Sequence, residues 1–301
     1  MVKLFFFITF RHHFYFMPSI AAIDESFDSR NSSVCQLSIQ YGAQLFSFAI
    51  LDLLANRYVA LRHYWFTKPV SPENQADHLR ILLNSESYLL RPYDHIRFMY
   101  LSPTSVLIPD QLFAEEKEES YFAHYQDIPK DFTIQQASIS EIHSKLLFPI
   151  PKTVHQYLTN QVDRISFHHQ SCPLIHSLKT SLSEEHPESK ASLFAGPKFI
   201  DLAIFSGNRL ILYNSYPAAT TEEAVYYVLY AFNQFGLIHE ETPLEIHGFI
   251  ENFPGATQQL NNYIRNITYS SFNQSYRFSP AFTTLTPHHF NLLLNLPQCG
   301  S

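Results

Sequence analysis

Apolar positions in this chain fall first into short runs and alternations of strand length. Residues 34–39, 46–51 and 58–66 alternate or run apolar with turn residues between them, which predicts three successive strands. Gly42 marks the first turn and Ala55-Asn56 the second. The same order returns at residues 192–195, 200–205 and 209–216, where Gly207-Asn208 is a hairpin signal. Asn56-Arg57 followed by Tyr64 recurs as Asn208-Arg209 followed by Tyr216 at the same spacing. A three-strand meander therefore occurs twice.

Helical patterns follow each meander. Ser71-Pro72-Glu73 places a cap and a first-turn proline before a helix ending near Asn84. Thr220 with Glu223 three residues on is a capping box, and Val225, Leu229 and Phe232 give the next helix an apolar face ending at Gly236. Strands resume at residues 96–101, 105–109 and 244–250, with helices at 153–162 and 257–267. Thr286-Pro287 caps a last helix through Leu294. The polar stretch 183–190 (SEEHPESK) reads as a link between halves. The expected organisation is an arm at 1–30, a first lobe at 31–182, the link at 183–190 and a second lobe at 191–301.

Composition narrows the chemistry. An apolar fraction of 46% and a charged fraction of 16% over 301 residues describe a globular chain long enough for one large domain or two ordinary ones. Seven glycines, against about 21 at average usage, leave no GxGxxG and no GxxxxGK[ST] phosphate cradle. A net charge of −7 with no Lys/Arg cluster argues against a nucleic-acid binder. Cys35, Cys172 and Cys299 form no paired framework and no CxxC knuckle, which suits a reducing cytoplasm. Arg11-His12-His13 interrupts the apolar amino terminus, making it too short for a membrane span and a poor signal peptide.

Two antiparallel meanders, each continuing as helix and strand, resemble the plan of the actin-like ATPase superfamily. That resemblance implies an α/β protein of two actin-like (ribonuclease H-like) lobes, each a mixed sheet with flanking helices. It also implies three nucleotide loops. Gln40-Tyr41-Gly42-Ala43 resembles the first phosphate hairpin, D-x-G-T, with Asp replaced by Gln40. Phe194-Ala195-Gly196-Pro197-Lys198-Phe199-Ile200-Asp201 resembles the second, D-L-G-G-G-T-F-D, keeping only Gly196 and the trailing Asp201. Gly248-Phe249 with Pro254 resembles the adenosine loop with its second glycine replaced. Within the superfamily, Glu222-Glu223-Ala224-Val225-Tyr226-Tyr227, Ile246-His247-Gly248 and Leu296-Pro297-Gln298-Cys299-Gly300 resemble an uncharacterised family of Bacteroidota proteins.

Chemistry is the missing part. Magnesium bound to a triphosphate needs hard oxygen ligands, usually carboxylates. Gln40 offers a neutral carbonyl, Phe194 nothing, and Pro197 lacks an N–H for a phosphate oxygen. The expectation is a chain without ATP hydrolysis, cofactor or catalytic residues. It would be a cytoplasmic binding or scaffold module, meeting an unidentified protein through the groove between lobes or an exposed aromatic surface. The alternative is a divergent nucleotide-binding enzyme of the sugar-kinase class, with carboxylates such as Asp52, Asp94, Asp110 or Asp201 converging from elsewhere. A self-assembling structural protein is a third option.

Remaining features have bland readings. The doublets His12-His13, His168-His169 and His288-His289 place neighbouring rings on different faces, so no metal site is expected. There is no HExxH and no GxSxG. Cys172 lies near His168 and His169, but Pro173 interrupts that segment and a buried thiol is expected. The run Glu115-Glu116-Lys117-Glu118-Glu119 reads as a solvated face, and Trp65 as core or an interface anchor.

Overall fold

The computed structural model describes residues 19–300 apart from 90, 124–127, 163 and 183–187. The first eighteen residues of the expected arm and most of the expected link lie outside the described residues. The first meander is β2 (Cys35–Tyr41), β3 (Leu45–Asp52) and β4 (Arg57–Trp65), preceded by β1 (Ile20–Ile23). The sequence pattern did not reveal β1, which pairs antiparallel with β4, Ile20 facing His63. Helix α1 (Pro72–Ser85) follows with Pro72 in its first turn, where a missing N–H costs nothing. Then come β5 (His95–Tyr100), β6 (Val106–Pro109), α2 (Glu118–Ala123), β7 (Phe132–Ile139), β8 (Ser144–Pro151), α3 (Lys152–Gln161), β9 (Ile165–His169) and α4 (Ser171–Thr180). Pro173 stands in the first turn of α4 and does not break it, so the segment around Cys172 is helical, contrary to the sequence reading.

The second meander is β10 (Ser189–Gly196), β11 (Phe199–Ser206) and β12 (Arg209–Pro217), followed by α5 (Thr221–Gln234). The Thr220–Glu223 capping box is formed in full. Next are β13 (Leu244–Gly248), α6 (Ala256–Asn261), β14 (Ile267–Tyr269), β15 (Arg277–Phe278) and α7 (Pro287–Asn295). Helix α6 stops well short of the expected 267, at Asn261-Asn262, residues of poor helix propensity, and residues 267–269 join the sheet.

Two sheets share one strand plan. The first is ordered β1-β4-β3-β2-β5-β9, with β15 beside β4; the second is ordered β12-β11-β10-β13-β14. In both, a reversed meander is extended by two later strands beside its first strand. β10 pairs antiparallel with β11 and parallel with β13, so the second sheet is mixed. A third sheet, β6-β8-β7, is packed by Ile108, Phe122 and Leu147.

The chain forms two compact units. One comprises the described residues to Met99 with Ile150–Ser166 and Gln274–Leu285; the other comprises Tyr100–Pro149, Phe167–Asn273 and the residues from Thr286 on. The chain crosses between units several times, and of the link expected at 183–190 the described residues Ser189-Lys190 belong to β10. In the second unit Val225, Val228 and Phe232 of α5 bury against Leu193, Leu202, Ile204 and Ile246 of the sheet. In the first, Phe46, Phe48, Tyr58 and Tyr64 are fully enclosed. Burial stabilises by about 2 kcal/mol per such side chain, so the aliphatic set with Phe232 in the second unit and the aromatics in the first are principal supports of their cores. Among the described residues no helix is long and apolar enough to cross a membrane.

Candidate functional site

The β10–β11 hairpin turns through Pro197-Lys198, with Gly196 facing Phe199 in register. Proline suits the first position of such a turn; the second needs positive φ, and exposed Lys198 adopts it at 64°. Gly196 is crowded, since a methyl there would lie 2.5 Å from the Phe199 ring. Gly248 ends the neighbouring strand β13 at φ 77°, and its methyl would lie 2.5 Å from the Ala195 carbonyl oxygen and 2.8 Å from the Phe194 ring. Glycine is therefore required at 248 by both conformation and space. The Phe249 N–H donates to the Ala195 carbonyl at 3.1 Å, and Asn252 Nδ2 donates to the Gly196 carbonyl at 3.3 Å. Of the positions singled out from sequence, Phe194, Gly196 and Gly248 are thus brought together. Phe194, 3% exposed, packs its ring against Gly248.

Asp201 sits on β11 opposite Phe194 and is fully buried. Ser215 Oγ donates to its Oδ1 at 2.5 Å, and Gln170 Nε2 and Tyr213 Oη donate to Oδ2 at 3.0 and 3.2 Å. Burial pushes its carboxyl up to about 7, and these three donors only partly offset the desolvation. Gln170 Nε2 also donates to the Ser102 carbonyl, which His169 Nε2 reaches at 2.8 Å. Burial holds the His169 ring down to about 4, so it is neutral near pH 7. Sequence marked Asp201, but nothing in it linked Gln170, Tyr213 and Ser215 to that carboxylate.

In the first unit, Gln40 is 3% exposed on β2, facing Ser47 of β3. Gly42 is buried, and its N–H donates to the Leu45 carbonyl at 3.0 Å. Asp52 and Asp94 do not approach this turn. Asp52 pairs with Cys35 in the β2–β3 ladder, and the Asp94 N–H donates to the Cys35 carbonyl. Both therefore lie at the far end of β2, about 20 Å away at strand spacing. Asp52 Oδ1 accepts from Leu54 N and Ala55 N in its own turn, while Asp94 faces Arg164 beside a recess of about 890 Å³. In the second unit Asp110 is exposed in the turn after β6, whereas Asp201 is enclosed. The same first unit buries Glu86, which takes two hydrogen bonds from Arg62 Nη1 and one from Tyr64 Oη.

The histidines give one unexpected cluster. His288 and His289, in the first turn of α7, both lie beside Glu251: His289 Nε2 is 3.1 Å from each carboxylate oxygen, within hydrogen-bond distance, and His288 Nε2 is 3.9 Å from Oε1, beyond it. Adjacent residues place their rings on different faces by sequence alone, and no sequence signal ties Glu251 to the doublet. Cys172 is a buried free thiol as expected. Trp65 is half-buried, edge-on to His63 at 5.1 Å. Glu115, Glu116 and Lys117 are exposed.

Comparison with known proteins agrees with this architecture. A Bacteroides thetaiotaomicron protein with actin-like ATPase fold and unknown function superposes with a TM-score of 0.73 at 24% identity, covering 81% of this chain and 93% of the other. A chain of the PilM-PilN type IV pilus biogenesis complex superposes with a TM-score of 0.56 at 12% identity, covering 89% of this chain and 98% of that one. These likenesses establish the actin-like ATPase fold. No curated protein matches the sequence. The family model described as protein of unknown function (DUF3822) matches residues 24–267, and the chain belongs to that family.

Proposed function

We propose that this chain is a non-catalytic actin-like protein of the cytoplasm that binds a protein partner. The observation that carries the reading is Phe194: a buried phenyl ring packed against Gly248, where the nucleotide-binding relatives implied by the fold have an aspartate. Magnesium finds no hard anionic ligand at Gln40 or Phe194, and Pro197 withholds an N–H from the hairpin. The nearest marked carboxylate in that unit, Asp201, is closed off by three donors. These residues do not fit a magnesium nucleotide.

Partner binding is supported by the solvent face of α5. Tyr226 and Tyr230 are 58% and 47% exposed and stack at 5.8 Å between ring centroids. Tyrosine contributes large contact area at low entropic cost and is enriched in interfaces. The PilM-PilN complex is a precedent by analogy for a chain of this fold in a protein complex.

A photo-crosslinking side chain at position 226, in the cell of origin, is expected to give one discrete protein adduct. The same group at Leu112, 70% exposed, is expected to give none. Tyr230→Ala should weaken the interaction at least about tenfold, the scale of an interface anchor. Equal, diffuse labelling from both positions would remove the support for this surface.

A further inference from the structure

We propose that Glu251, His288 and His289 form a binding site for a divalent first-row transition metal, with zinc the best-fitting ion. One ligand atom from each residue lies within 4.8 Å of the other two. Tetrahedral zinc with bonds near 2.0–2.1 Å holds its ligands about 3.4 Å apart. Small side-chain adjustments therefore close the set, because His289 Nε2 is already 3.1 Å from both Glu251 oxygens and His288 Nε2 is 3.9 Å from one.

The rings are held from outside. Phe249 stacks on His289 with centroids 4.3 Å apart, and Tyr269 packs on His288 at 4.6 Å. The two imidazoles meet edge to face at 4.5 Å, which brings adjacent helical residues to one point. An independent observation concerns His288: its Nε2 is buried and has no hydrogen-bond partner among the described residues. Buried polar atoms normally have partners, and this one lies 3.9 Å from a carboxylate oxygen, beyond hydrogen-bond distance. A metal ion between them would satisfy both.

The donor set selects the ion class. Two imidazoles and one carboxylate suit zinc and its first-row neighbours, whereas magnesium and calcium require oxygen ligands throughout. Three protein ligands leave a fourth position for water. Glu251 is also part of the wall of a recess of about 430 Å³ formed with Pro254, Thr257 and Tyr269. The site is independent of the partner-binding reading above, since none of its residues belongs to α5.

The test uses the full chain, stripped with chelator and titrated with Zn²⁺ by calorimetry and with Co²⁺ by visible absorption. One saturable equivalent of Zn²⁺ is expected, with the ligand-field bands of a tetrahedral Co²⁺ site. Glu251→Gln, at a carboxylate 62% exposed, and His289→Gln should each weaken Zn²⁺ binding by about tenfold or more. Their combination should abolish it, and Zn²⁺ should raise the unfolding temperature of the wild type but not of the double variant. Because Glu251 lies largely in solvent, Glu251→Gln should melt normally without metal, keeping lost affinity distinct from lost fold. Less than one equivalent bound by the wild type, or equal affinity in wild type and double variant, would overturn the proposal.

Discussion

Gly248→Ala is expected to destabilise the second unit by about 3 kcal/mol or more, while Gly255→Ala is expected to cost only about 1 kcal/mol. Both glycines have positive φ, 77° and 82°, so both variants incur the left-handed penalty of a residue with a Cβ. They differ in surroundings. The new methyl at 248 meets the Ala195 carbonyl oxygen at 2.5 Å, whereas at 255 nothing lies within 4 Å. The Ala195 carbonyl belongs to a paired central strand and already accepts the Phe249 N–H, so it cannot withdraw cheaply. Thermal unfolding followed by circular dichroism should show a drop of roughly 10 °C for Gly248→Ala and a few degrees for Gly255→Ala. Equal losses would mean that the strand end is slack and that Phe194 does not pack tightly beneath it.

Asp201→Asn is expected to remove a large pH-dependent contribution from the stability of the second unit. The folded carboxyl titrates near 7 because of burial, against 3.8 for the ordinary side chain. A raised folded-state value means the native protein holds a proton that the unfolded chain releases between those two values. The contribution is thus fully present below about pH 4 and is lost as pH rises through 7. Three units correspond to on the order of 4 kcal/mol. Asparagine removes the titration and can keep the network: its amide donates to Ser215 Oγ, and its oxygen accepts from Gln170 and Tyr213. The variant should match the wild type near pH 4 and exceed it in denaturant midpoint above pH 7. Buried His169 and His247, both held down to about 4, act in the opposite direction, losing stability as pH falls from 6.5. They are common to both proteins and cancel in the difference. Parallel stability curves from pH 4 to 9 would show that Asp201 is not desolvated.

The meanders were legible because strand periodicity is local. Gly42, Asn56 and Gly207 punctuate them, and each turn falls where the sequence placed it. The capping box at Thr220 and Glu223 was legible for the same reason, since its donors lie three residues apart. Helix α4 was obscured by Pro173, whose tolerance depends on its place in the first turn. Strand β7 was obscured by Gln135-Gln136, which dilute its apolar content. The site features hidden in the sequence are all contacts between distant segments. Phe194 under Gly248, Gln170 on Asp201, and Glu251 against His288 and His289 depend on strand order and on the packing of α7 against β13. The missing carboxylates could be read from sequence because a resemblance supplied positions at which to look for them. The phenyl ring filling its neighbourhood could not, because side-chain direction follows from register.

The central proposal is that this actin-like chain binds no magnesium nucleotide, because its two hairpin turns lack the carboxylates that would hold the ion. Isothermal titration of the full chain with ATP, in excess magnesium and after removal of transition metals, tests it most directly. No saturable heat is expected, and the trace should be unchanged when magnesium is replaced by chelator. Saturable, magnesium-dependent binding of ATP in the micromolar range would contradict it, because no carboxylate at Gln40 or Phe194 is present to hold the ion.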